Sequence, residues 1–93
     1  MELIRLSAEI QKKIKQLEDC RAELRTRSED KARTIREYDK EMAKKIIEMK
    51  EAYPATLCEK LAKGACFQQR YDMELAEAMF KSLNTAINSI QAP

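Results

Sequence analysis

Between Glu2 and Gln91 the chain contains a single proline, Pro54, and a single glycine, Gly64. These two residue types are the strongest punctuation of a helical chain. A sequence that uses one of each, close together, has one place to turn. Everything on either side of the stretch from Ala43 to Gly64 is free to run as long helix. The expected fold class is therefore all-α, with a long N-terminal helix, a short connector helix and a C-terminal helix packed back as an antiparallel, coiled-coil-like hairpin over residues 1–93, a single domain.

The corner reads residue by residue. Proline disfavours helical conformation in the residue before it, so the helix carrying Ile46, Ile47 and Met49 should end near Tyr53. Thr56-Leu57-Cys58-Glu59 has the spacing of a capping box, in which a hydroxyl and a carboxylate satisfy each other's orphan backbone N–H groups at a helix start. Gly64 suits the left-handed conformation that terminates many helices, with Lys60 and Lys63 in the last turn, where the dipole favours cations. These signals predict helices near 2–52, 56–63 and 66–90.

Apolar residues recur at helical spacing on both long segments. Leu3, Leu6, Ile10, Ile14, Leu17, Cys20 and Leu24 form an N-terminal stripe, within which Leu3, Ile10, Leu17 and Leu24 keep the seven-residue period of a coiled-coil seam. The same pattern also describes an amphipathic helix packed on its own domain. The stripe fades through Arg25–Arg33, either because a continuous helix crosses a solvated segment stabilised by pairs such as Arg25 with Glu29, or because the chain breaks at a Thr26–Glu29 cap. Continuity is favoured, since a tight helical hairpin generally recruits glycine, proline or asparagine and none is present.

The stripe resumes at Ile35, Tyr38, Met42, Ile46, Met49 and Tyr53, the expected core face. Arg33, Arg36, Lys40 and Lys44 fall on the opposite side. They form either a solvated outer face or a contact for an anion or acidic partner. On the last helix the expected inner face is Phe67, Tyr71, Leu75, Met79, Leu83, Ala86 and Ile90, with Ala76 and Ala78 beside it. Glu74 and Glu77 read as solubilising charges.

Composition narrows the function. The 93 residues include no histidine, so the commonest proton-transfer side chain and zinc ligand are missing. The three cysteines, Cys20, Cys58 and Cys66, are odd in number and have no C-x-x-C pair, which suits reduced thiols better than a disulfide framework or a thiolate metal site. No catalytic, cofactor-binding or metal-binding residues are assigned. The 18 basic and 16 acidic residues balance to a formal charge of +2, too little to single out nucleic acid as partner. No apolar run approaches the roughly 18–20 residues of a membrane span, and Met1–Lys13 lacks a signal peptide's apolar region, so a cytoplasmic protein is expected.

Helix lengths supply the last constraint. A first helix over 2–52 would be about 75 Å long and a last helix of 25 residues about 38 Å, so the return helix would cover residues 30–52 and leave Leu3–Leu24 bare. Leu3, Leu6, Ile10, Ile14, Leu17 and Leu24 are accordingly the expected oligomer or partner interface, with a homodimer as the simplest cover.

The run EYDKEMAKKIIEMKEAYPATLCEKLAKG, then Asp72, AEAMFKS and AIN, resembles a group of small helical proteins encoded by phages and prophages of Gram-positive bacteria. The resemblance is carried by Glu37 and Tyr38, Ala43 and Lys44, Pro54, Thr56 and Leu57, Leu61–Gly64 and, loosely, Glu74–Ser82, and it covers about residues 37–89. Ala65, Cys66 and Phe67 depart from it, standing where the group carries polar residues. The resemblance implies a non-catalytic inhibitor or adaptor that binds a host protein, with antiviral defence such as a CRISPR effector nuclease as the target. The alternative is a nucleotide- or nucleic-acid-binding accessory protein, a signal sponge or replication factor, with Arg33, Arg36, Lys40 and Lys44 on phosphates and Tyr38, Tyr53 or Tyr71 stacked on bases.

Overall fold

A computed structural model describes residues 2–91 of the chain, and side-chain environments from 2 to 90. Three helices make up the fold: α1, Glu2–Lys50; α2, Ala55–Ala65; and α3, Phe67–Gln91. Both α2 and α3 pack on α1, so the architecture is the expected hairpin. It is long and thin, 76 × 18 × 14 Å.

The first helix is continuous through residues 25–33. Thr26 does not cap anything there. Its hydroxyl donates to the carbonyl of Ala22, one turn back in the same helix. The expected Arg25–Glu29 pairing is replaced by Arg27–Glu23 and Arg33–Asp30, each at 3.2 Å.

At the corner the chain leaves α1 three residues earlier than Tyr53 and turns through Glu51–Pro54. The N–H groups of Ala52 and Tyr53 both donate to the Met49 carbonyl, at 3.1 and 2.9 Å. The second helix then starts at Ala55 with Pro54 as N-cap, and no side chain caps it. The Thr56–Glu59 capping box is therefore not formed. Starting the helix one residue earlier places Thr56 inside its first turn, where its hydroxyl is no longer at the capping position.

Gly64 does not terminate α2 either. No described residue has a positive φ, and the helix passes through Gly64 to Ala65. The interruption is Cys66 alone, at φ −97° and ψ 26°, whose N–H still donates to Ala62 at 2.9 Å and whose carbonyl accepts from Arg70 at 3.0 Å. Helices α2 and α3 thus form one nearly continuous rod with a joint at Cys66. At about 1.5 Å per residue that rod is about 55 Å long, and this corrects the expected coverage. The second helix is part of the return strut rather than a bare connector, so burial on α1 begins at Leu17 instead of near residue 30. Leu17, Cys20 and Leu24, expected to be uncovered, are half-buried by their own chain, and residues 2–16 are exposed.

The seam also differs in its residues. From the Cys66 joint along α3 the inward positions are Cys66, Gln69, Met73, Ala76, Phe80, Leu83, Ile87 and Ile90, alternating steps of three and four. Phe67, Tyr71, Leu75 and Met79, expected to face the core, are exposed, as is Ala86. The reason is geometric. At about 100° per residue, a row spaced four apart advances about 40° at every step and winds off the face that alternating threes and fours hold. Only Leu83 and Ile90, where the two patterns cross, lie inward.

On α1 the seam does not fade between Leu24 and Tyr38. It continues through Arg27, Lys31 and Thr34. Arg27 donates to the Met79 sulfur at 3.6 Å while pairing with Glu23, and the Lys31 ammonium lies 4.7 Å from the Phe80 ring centroid. The stems of both side chains supply apolar cover and their charged ends reach the edge of the seam. Thr34 is buried, with its hydroxyl donating to the Lys31 carbonyl at 3.0 Å. Because Thr34 takes the inward position, Ile35 is displaced to the rim. Tyr53, beyond the end of α1, is also exposed, whereas Tyr38, Met42, Ile46 and Met49 are half-buried as expected.

The tightest packing is at the corner. Cys58, Ala62 and Cys66, each at most 2% exposed, follow one another at four-residue steps and bring α2 close against α1. The Cys58 thiol donates to the carbonyls of Tyr53 and Pro54, tying the start of α2 to the turn. Every ion pair among the described residues lies within one helix, so the hairpin is held by its apolar seam and not by charge between its arms.

Candidate functional site

Three surfaces follow from the sequence and the fold. The first is the N-terminal arm. Leu3, Leu6, Ile10 and Ile14 are 82, 54, 51 and 50% exposed, on one face of a helix that no other described residue buries. Of the residues expected to form an oligomer or partner interface, these four remain free. Leu17 and Leu24 belong to the edge of the hairpin's own seam.

The second is the outer row of α3, which sequence reasoning assigned to the core. Phe67, Tyr71, Leu75 and Met79 are 69, 60, 46 and 38% exposed. Successive residues are one helical turn apart, so they are neighbours along an oblique band. Leu75 and Met79, with Asp72 and Ala76, form one wall of a groove whose other wall is Arg27, Asp30, Arg33, Thr34 and Glu37 of α1. The signal for this surface was the unbroken four-residue spacing itself, which no flat interhelical seam sustains.

The third is the basic stripe. Arg33, Arg36, Lys40 and Lys44 are all exposed along α1, with Arg33 at the edge of the α3 groove and Lys40 sharing a hollow with Gln69 of α3. Arg33 is paired with Asp30, and Glu29 and Asp30 share a surface hollow with Arg33 and Arg36. Glu37 and Glu41 flank Lys40 in the same way. The stripe is thus a mixed-charge surface, with Arg36, Lys40 and Lys44 making no ion pair among the described residues. Of the tyrosines considered as stacking platforms, Tyr38 is half-buried in the seam, and Tyr53 and Tyr71 lie exposed on other parts of the surface.

Comparison with protein-family models, with curated proteins and with solved structures gives no match. The surfaces therefore speak through their chemistry alone. Among the described residues, no group of three histidine, cysteine or acidic side chains is placed to hold a metal ion. All three cysteines are free thiols, Cys58 and Cys66 buried and Cys20 half-buried. No described helix is long and apolar enough to cross a membrane. The hollows between α1 and α3 are open grooves lined by mixed charged and apolar side chains. What the chain presents is elongated apolar helix face.

Proposed function

We propose that this chain is a non-catalytic binding protein that acts by engaging another protein, and that it serves as an inhibitor of host antiviral defence, the role implied by its resemblance to small phage and prophage proteins. The observation that carries the binding reading is the outer row of α3. Two exposed aromatics followed by two exposed flexible apolar side chains make up a band of the kind that anchors protein interfaces, where aromatic residues supply most of the energy. The adjoining groove, with Arg27, Asp30, Arg33, Glu37 and Asp72 around it, provides the polar rim that would set orientation.

The test is retention of a protein from a Gram-positive host extract on the immobilised chain, compared with a Phe67→Ser, Tyr71→Ser variant. The expected result is one protein held at fixed stoichiometry by the wild type and lost by the variant. Removal of two anchors at about 2 kcal/mol each weakens binding by about a thousandfold. Equal retention by both would overturn the assignment to α3, and absence of any stoichiometric partner would count against a protein-binding role.

A nucleotide- or nucleic-acid-binding role is the second reading, supported by the exposed, unpaired Arg36, Lys40 and Lys44. If these cations carry it, oligonucleotide affinity should fall with salt at a log–log slope of about −2 to −3, the value for three phosphate contacts. A flat salt dependence would remove this reading.

A further inference from the structure

We propose that the N-terminal arm of α1 is covered by the same arm of a second copy of this chain, paired antiparallel. The first argument is self-complementarity. The exposed row is spaced three, four, four: Leu3, Leu6, Ile10, Ile14. Laid against its own reverse, Leu6 of one copy opposes Ile10 of the other and Leu3 meets Ile14 within one residue of the same register, about 1.5 Å along the axis, and both layers repeat across a two-fold axis near Ala8. Every layer is apolar on both sides, and the contact is isologous, as a closed dimer requires.

Charge agrees with that direction. At about 100° per residue, Glu2 and Lys13 lie on the same shoulder of the row. In an antiparallel pair like shoulders face each other. The register above therefore brings Glu2 of each copy beside Lys13 of the other, two opposite-charge pairs against the single like-charge approach of Glu9, on the same shoulder, to its own copy near the axis.

The fold excludes the parallel arrangement. From Leu17 onward the seam that continues the row is occupied by α3. Two parallel arms in contact would carry each α3 into the other copy within a turn of leaving the overlap. In the antiparallel arrangement the second helix lies on the track that α3 vacates and runs out past Glu2 into open space, so both hairpins remain intact. An exposed arm of about 20 Å with four large apolar residues per copy is a small contact beside the roughly 1,200 Å² that stable interfaces bury. The dimer should accordingly be concentration-dependent, dissociating in the micromolar range or above. It does not depend on the assignment of α3 to a protein partner, because the two surfaces lie on different parts of the molecule.

Light scattering on the full chain over rising concentration tests the association. The wild type should pass from monomer towards dimer. Ile10→Asp, which places a charge at the middle of the overlap, should weaken dimerisation at least tenfold with the helical signal of residues 17–90 retained. Orientation is tested by disulfide trapping in a Cys20→Ala background. Leu3→Cys together with Ile14→Cys should give a covalent dimer linked from position 3 to position 14. Leu3→Cys alone should not, since the two copies of that position lie about 16 Å apart along the axis, beyond the reach of a disulfide. A wild type monomeric up to about 1 mM, a dimer indifferent to Ile10→Asp, or dominant linkage of position 3 to itself would each overturn the proposal. Loss of the α3 partner with these outcomes intact would refute only the proposed function.

Discussion

Gly64 and Cys58 show how a single residue's role depends on where the helix around it ends. Gly64 looked like a terminator because glycine tolerates left-handed conformation, yet it sits within α2 at negative φ, and a methyl group added there would meet nothing within 4 Å. Gly64→Ala should therefore raise stability by about 0.5–1 kcal/mol, through better helix propensity and a less flexible unfolded chain. An increase in melting temperature is the expected readout, and a decrease would mean that the backbone at this position is not helical. Cys58 is the converse case, a small side chain that lets two helices approach. Cys58→Leu should cost about 1–3 kcal/mol by forcing α2 away from α1. Cys58→Ser should be much milder, because its hydroxyl can donate to the Pro54 carbonyl that the thiol already faces at 3.4 Å. Chemical denaturation of both variants separates packing from polarity, and equal losses would show that the site does not discriminate by size.

At the scale of the elements, the existence and type of all three helices were legible, because hydrophobic periodicity and the Pro54 punctuation are local signals. What was not legible was the phase of the seam. On α3 two apolar patterns compete, and only the alternation of threes and fours through Gln69, Met73, Ala76 and Phe80 stays on one side of the helix. Gln69 and Ala76 disguised it, being polar and small. On α1 Arg27, Lys31 and Thr34 disguised the seam in the same way, since their contribution comes from stems and a self-satisfied hydroxyl that a hydrophobicity pattern does not register. Phe80 and Phe67 then offer a direct comparison. Phe80, half-buried beneath Lys31, should cost about 2 kcal/mol or more on replacement by alanine. Phe67, exposed on the outer row, should cost less than about 0.5 kcal/mol. Reversed values in thermal unfolding would restore the four-spaced row to the core. The candidate site was legible by half. The uncovered N-terminal stripe follows from helix lengths, but its end at Ile14 required knowing that α2 lengthens the return rod, and the outer row of α3 was hidden by its assignment to the interior.

For the whole molecule, the mismatch between one long rod and a shorter jointed one sets a gradient of stability. Backbone amides of residues 2–14 belong to the part of α1 whose side chains are all exposed, and an isolated helix of that length is marginal in water. Hydrogen exchange at low protein concentration should show them nearly unprotected while α1 from Leu17 to Met49 is protected. Protection of the arm should rise with concentration if copies pair, and strong protection under dilute conditions would show that the arm is held within one chain. The corner at Pro54 gives this gradient a direction in time. Contacts between the two rods join residues ever further apart in sequence as they recede from the turn, and by Arg27 and Met79 the separation is already 52 residues. Chain-closure entropy is smallest beside Pro54 and increases steadily along the seam. The hairpin should therefore form as a zipper from the Cys58–Ala62–Cys66 cluster outward. Substitutions near the corner should slow folding, and those near Leu17 and Ile90 should chiefly hasten unfolding.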